Sequence, residues 1–212
     1  MRCLKTAAFL SLLLQLPFPA PAGAPGLAQS VLAEINILRT TPASYVGFLE
    51  ELLPKFRNNR LVLDNISYRT REGAAAVREA MAFLQRVRPV PPLTWSPALA
   101  RAAADHVADQ ALKGGLGHSG SDGSRPAARI RRYGVPSGKT GESIAYGFCG
   151  PATARTIVIQ LLVDDGVANR SHRAQLFEPA FRLAGIACGH HPRYGNNCVI
   201  EYATGFIPRK TE

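Results

Sequence analysis

The sequence predicts an α+β fold in which helices pack on an antiparallel sheet. Apolar residues recur at helical spacing through the first half of the chain. The chain closes on a hairpin pattern, Ile186-Ala187-Cys188 and Cys198-Val199-Ile200-Glu201-Tyr202-Ala203, around a turn-rich segment. Helices first and a hairpin last is the order of an α+β domain, not of alternating βαβ units.

The chain opens with Arg2 and Lys5, an apolar run from Ala7 to Leu16, and small residues at Ala20 and Ala22. A charged start, a short apolar middle and a small-x-small end describe a secretory signal peptide over residues 1–22. Cleavage follows Ala22 or Ala24, and the competing reading is an uncleaved interfacial anchor. The run is too short to span a bilayer comfortably, so no transmembrane segment is expected after cleavage. The short export signal on an arginine-rich chain reads as bacterial, and places the protein as secreted or periplasmic.

Leu27, Val31, Leu32, Ile35 and Leu38 predict a helix over 27–39, stopped by Thr41-Pro42. Tyr45, Val46, Leu49, Leu52 and Leu53 give a second helix its apolar stripe. Residues 57–69, rich in Arg and Asn, read as a loop. Thr70 is expected to cap a third helix carrying Val77, Met81, Leu84 and Val87. Residues 88–92 hold three prolines and form an extended connector. Ser96-Pro97 starts a helix to about Leu112 with Leu99, Ala103, Val107 and Ala111 inward, and Gly114-Gly115 ends it. Residues 114–139 read as a long loop, 141–146 as a short strand, and 153–163 as a buried helix closed by Asp164-Asp165-Gly166.

The formal charge of +10 rests mainly on arginine, with a local knot at Arg125, Arg129, Arg131 and Arg132. Such a surface favours anionic partners, though a solvated face is the plainer reading. No aromatic–basic interleaving is present, so nucleic acid is not an expected partner. In an oxidising compartment Cys188 and Cys198 can staple the hairpin, a short loop worth about 2–3 kcal/mol. Cys149 is then left over, as a buried, inert thiol.

Four pieces carry more: Pro92-Leu93-x-Trp95 with Leu99-Ala100; Gly117-His118-Ser119; Gly141-Glu142-Ser143-Ile144-Ala145; and Ser171-His172-Arg173 followed by Phe181 and Gly185-Ile186-Ala187-Cys188-Gly189. In this order they resemble the CAP superfamily, also called SCP-like: secreted cysteine-rich, venom-antigen and plant pathogenesis-related proteins. The resemblance spans about residues 27–206. It implies an α-β-α sandwich with the sheet between helical layers. It divides the chain into a helical region at 23–92 packing on the domain, a core at 93–206 and a tail at 207–212. It also implies an open cleft lined by two histidines, His118 and His172, and two acids. The first acid matches Glu142 and the second matches Asp164 or Asp165.

Two imidazoles at such a cleft suit zinc or another divalent metal, with the carboxylates orienting the rings or holding bound water. The alternative is a purely structural His–carboxylate network. His106, His190 and His191 read as structural. No nucleophile stands out, because Ser119, Ser143 and Ser171 only adjoin the key residues in sequence. The leading expectation is an extracytoplasmic binding module whose ligand is a lipid or sterol, a peptide or a cell-surface component. The alternatives are a metal-dependent hydrolase of peptide or cell-wall material, with Glu142 as general base, and a lipid- or sterol-binding protein.

Overall fold

Residues 26–63, 66–147 and 153–209 are described by the computed structural model. The expected signal peptide and Cys149 lie outside them. Helices α1 (Leu27–Thr40), α2 (Tyr45–Glu50) and α3 (Ala74–Leu84) form the first half. Between α2 and α3 run three short strands, β1 (Phe56–Arg57), β2 (Arg60–Leu63) and β3 (Ile66–Arg69). The second half holds β4 (Thr94–Trp95), α4 (Pro97–Lys113), α5 (Pro126–Tyr133), β5 (Gly134–Tyr146), α6 (Ala154–Val163), α7 (Ser171–Leu176), β6 (Leu183–His191) and β7 (Gly195–Pro208).

The main sheet has the order β4-β6-β7-β5. It is antiparallel except for the short parallel pair of β4 with β6. Alternation along β7 sends side chains to two cores. Cys198, Ile200 and Tyr202 join α1, α3 and α6 on one face. Val199 and Ala203 meet α4 and α5 on the other. The result is the expected sandwich, with helices on both sides of the sheet. Cys188 and Cys198 are cross-strand partners and form the expected disulfide.

Local chemistry sets the helix ends. The Ser96 hydroxyl accepts from Leu99 N–H at 3.3 Å, and Pro97 needs no donor partner in the first turn. Gly114, with φ of 66°, closes α4 in the left-handed region. Thr153 and Thr156 cap α6 reciprocally. Buried Arg39 donates from α1 to the carbonyls of Pro91, Leu176, Glu178 and Phe181, tying three segments to one helix.

Several expectations are corrected. Residues 57–69 are not a loop but a three-stranded sheet. Leu61 and Tyr68 alternate with Arg60, Val62 and Arg69, and Asn58, with φ of 54°, makes the first turn. The abundance of arginine masked that period-two pattern. Thr70 does not cap α3; its hydroxyl donates to the Asn59 carbonyl instead, and the helix starts after Gly73. Residues 114–139 are not one loop, since α5 begins at Pro126 and β5 runs through Gly134–Tyr146. That strand has little apolar character at its start and is imposed by pairing with β7. The inward stripe of α4 includes His106 and Gln110, whereas Val107 and Ala111 are only half-buried. The hairpin strands also extend to a His191–Gly195 pair, leaving a turn of only three residues.

Candidate functional site

The site straddles β5, the edge strand of the main sheet. Glu142 points from β5 toward the α4–α5 layer, and His118 lies on the segment between α4 and α5. His118 Nδ1–H donates to Glu142 Oε1 at 2.7 Å. The other carboxylate oxygen accepts from Arg129 Nη2 at 2.6 Å, where both side chains are 1% exposed. Arg129 also donates to the carbonyls of Ser124 (2.9 Å) and His118 (3.2 Å), so it holds the His118 segment in place.

Glu201 on β7 stands opposite Glu142 across the strand pair and is fully buried. Arg129 Nε lies 4.0 Å from it, beyond hydrogen-bonding reach. Burial and the negative charge of Glu142 push the Glu201 carboxyl well above the usual range. Burial would raise Glu142 as well, but His118, Glu201 and Arg129 together bring it below its ordinary value. One buried cation therefore faces one carboxyl held low and one pushed high. Stability linked to Glu201 is complete below the carboxylate range and is lost as pH climbs toward its folded value. That linked to Glu142 is present above the range and is lost in acid. Glu201→Gln is expected to raise Tm by about 2–5 °C at pH 8 with little change at pH 5, as read by thermal melts.

On the other side of the cleft, α6 ends at Asp164 in the left-handed conformation, with φ of 55°. This turn brings its carboxylate to the start of α7. There it accepts from His172 N–H at 2.9 Å and Arg173 N–H at 3.4 Å, satisfying donors that the helix leaves free. The same carboxylate takes His172 Nδ1–H at 2.6 Å, so one acid both caps α7 and orients the ring. Arg173 grips Glu79 of α3 through two bonds, of 2.6 and 2.8 Å, which fixes α7 against the first half of the chain. Asp165 is not part of the cleft. Its oxygens accept from the backbone N–H groups of Arg71 and Glu72 at 2.6 and 2.8 Å.

The two imidazoles meet with ring centres 6.5 Å apart. Each uses Nδ1 on a carboxylate, so Nε2 is the ring nitrogen not engaged by that acid. With Zn–N bonds of about 2.0–2.1 Å, an ion shared by two such rings in tetrahedral geometry wants centres about 5.2 Å apart. The observed separation is longer than that by about 1 Å, and His118, whose side chain is 44% exposed, is the less enclosed of the two rings. Among the described residues no group of three or more His, Cys, Asp or Glu side chains is placed to hold an ion. Such an ion would keep positions for solvent or ligand.

The other expected residues fall as follows. His106 is buried on α4 and hydrogen-bonds through Nε2 to the Gly117 carbonyl at 2.8 Å. His191 is buried and bonds the Gly115 carbonyl at 3.0 Å. Ser143 is fully buried and, as the neighbour of Glu142 on a strand, faces the opposite side of the sheet. Arg129 and Glu201 were missed by sequence reasoning. A lone glutamate inside the apolar run 198–203 was the available signal for the second; Arg129 sat in an arginine knot read as solvated.

No curated protein matches the chain. Among solved structures, an outer surface protein from Borrelia burgdorferi is 18% identical with a TM-score of 0.45, over 54% of this chain and 78% of that one. An extracellular protein containing an SCP domain from Bacillus anthracis is 16% identical with a TM-score of 0.43, over 59% of this chain and 39% of that one. The model of the cysteine-rich secretory protein family, CAP, matches residues 32–202, which is most of the sequence, and the chain belongs to that family.

Proposed function

We propose that this protein is an extracytoplasmic binding module whose paired imidazoles, His118 and His172, hold a ligand directly or through a divalent metal such as zinc. The observation that carries this reading is the matched pairing: each ring is tied by Nδ1 to its own carboxylate, and the two ring centres stand 6.5 Å apart. Zinc at this place would supply a Lewis-acidic anchor for an oxygen or nitrogen of the ligand. Glu142 and Asp164 orient the rings. The signal peptide read over residues 1–22 and the family's secretory character support an address outside the cytoplasm. No helix among the described residues is long and apolar enough to cross a membrane.

A hydrolytic role for the same site is less well supported. Both oxygens of Glu142 are engaged and its carboxyl is held below its ordinary value, which suits an orienting group better than a general base. Among the described residues no serine hydroxyl bonds to His118 or His172. The test is calorimetric titration of the purified protein with zinc, beside assays on peptide and cell-wall substrates. The expected result is one zinc site lost in the His118→Ala/His172→Ala double variant, with hydrolysis at background in both proteins. Robust hydrolysis by the native protein that disappears in the double variant would overturn the binding reading.

A further inference from the structure

A second place on the molecule, independent of the histidine cleft, has the character of a binding site. In the small sheet, Arg57 pairs with Arg60 across β1 and β2, and Arg60 pairs with Arg69 across β2 and β3. Three guanidinium side chains therefore stand in one row across all three strands. All three are exposed, while the cross-strand pair Leu61 and Tyr68 turns to the other face. Like charges directly opposite on neighbouring strands destabilise a sheet.

Among the described residues no carboxylate forms an ion pair with Arg57, Arg60, Arg69 or Arg71, whereas Arg132, Arg155, Arg170 and Arg173 all have acidic partners. Arg57 donates to the carbonyls of Pro54 and Phe56, and Arg60 to the Ser67 hydroxyl. These bonds use few of the five donors each guanidinium carries. The row borders a hollow of about 750 Å³, closed by Asn58, Asn59 and Arg71. Asp165 fixes one wall by holding the Arg71 backbone N–H, and the Arg71 stem lies over Gly166.

We propose that this hollow binds a soluble, compact polyanion carrying two or more phosphoryl groups. The guanidinium fork matches phosphoryl oxygens two at a time. Four arginines in one hollow call for dense negative charge, and a phosphoryl group carries up to twice that of a carboxylate. The volume exceeds what one inorganic phosphate needs and lies within the range of small-molecule sites. A concave wall suits such a ligand better than the flat surface of a membrane.

The test is calorimetric titration of the mature protein with tripolyphosphate, pyrophosphate and orthophosphate, beside sedimentation with phosphatidylglycerol vesicles. Tripolyphosphate is expected to bind saturably and most tightly, with affinity falling as salt rises. Arg60→Ala is expected to weaken it at least tenfold, and Arg60→Lys to weaken it as well through loss of the fork. Arg69→Glu gives a readout of another kind: it abolishes binding, yet raises Tm of the free protein by about 1–3 °C by placing an acid opposite Arg60. Absence of saturable tripolyphosphate binding, unchanged affinity in Arg60→Ala, or capture by vesicles without soluble-phosphate binding would each overturn the proposal. A lower Tm in Arg69→Glu would remove the like-charge argument beneath it.

Discussion

Replacing Arg129 with methionine is expected to destabilise the protein by about 3–5 kcal/mol at pH 7, a fall in Tm of roughly 6–15 °C. Methionine fills similar space, so the loss reports charge more than packing. Arg129 is the buried cation at the pair Glu142 and Glu201, and its removal strands an ionised carboxylate inside the domain. The sign of the pH dependence follows. Without the guanidinium, Glu142 is no longer held below its ordinary value, and the folded variant is relieved only by protonating it. The gap between variant and native protein should therefore narrow as pH falls from 7 to 4, as followed by thermal melts. An equal loss at both pH values would mean that the charge of Glu142 is not what Arg129 answers. At the proposed zinc site the variant should also bind the metal more weakly, although Arg129 reaches neither ring. Its bonds to the carbonyls of His118 and Ser124 hold the segment that carries one imidazole.

The pairing of His118 with Glu142 was legible because both belong to short motifs whose order specifies the fold. The choice between Asp164 and Asp165 was not, for a physical reason. Adjacent residues diverge completely at a left-handed turn: Asp164 swings to the start of α7 while Asp165 reaches back to Arg71 and Glu72. No local pattern announces which of two aspartates makes that turn. The helices α4 and α6 could be read because caps and apolar spacing agree within each, and α1 because its apolar spacing is regular. The start of β5 could not, because Gly134–Thr140 is polar and glycine-containing and becomes a strand only beside β7. Arginine misled twice, once at buried Arg129 and once in the small sheet. In both places its long stem and fork serve geometry that composition does not reveal.

Gly185→Ala is expected to destabilise by about 3 kcal/mol, the upper part of the range for overpacking. Gly185 lies on β6 directly beneath α4. A methyl group there would stand 2.0 Å from the Ala100 nitrogen and 2.2 Å from the Leu99 carbonyl carbon. Both are backbone atoms of a helix clamped at its start by Ser96 and at its end by Gly114, so no side-chain rotation relieves the clash. The helix must shift bodily, and with it Gln110, which bonds Tyr146 and Asn197, and the exit toward His118. Gly141→Ala makes a control on the same sheet. Its new methyl would meet the Gln175 amide oxygen at 1.9 Å, the far end of a flexible side chain that can turn aside. That substitution is expected to cost about 1 kcal/mol or less. Urea unfolding of the two variants separates the cases. Equal losses, or a larger loss for Gly141→Ala, would show that α4 can yield over β6 and that its contact with the sheet does not fix the position of His118.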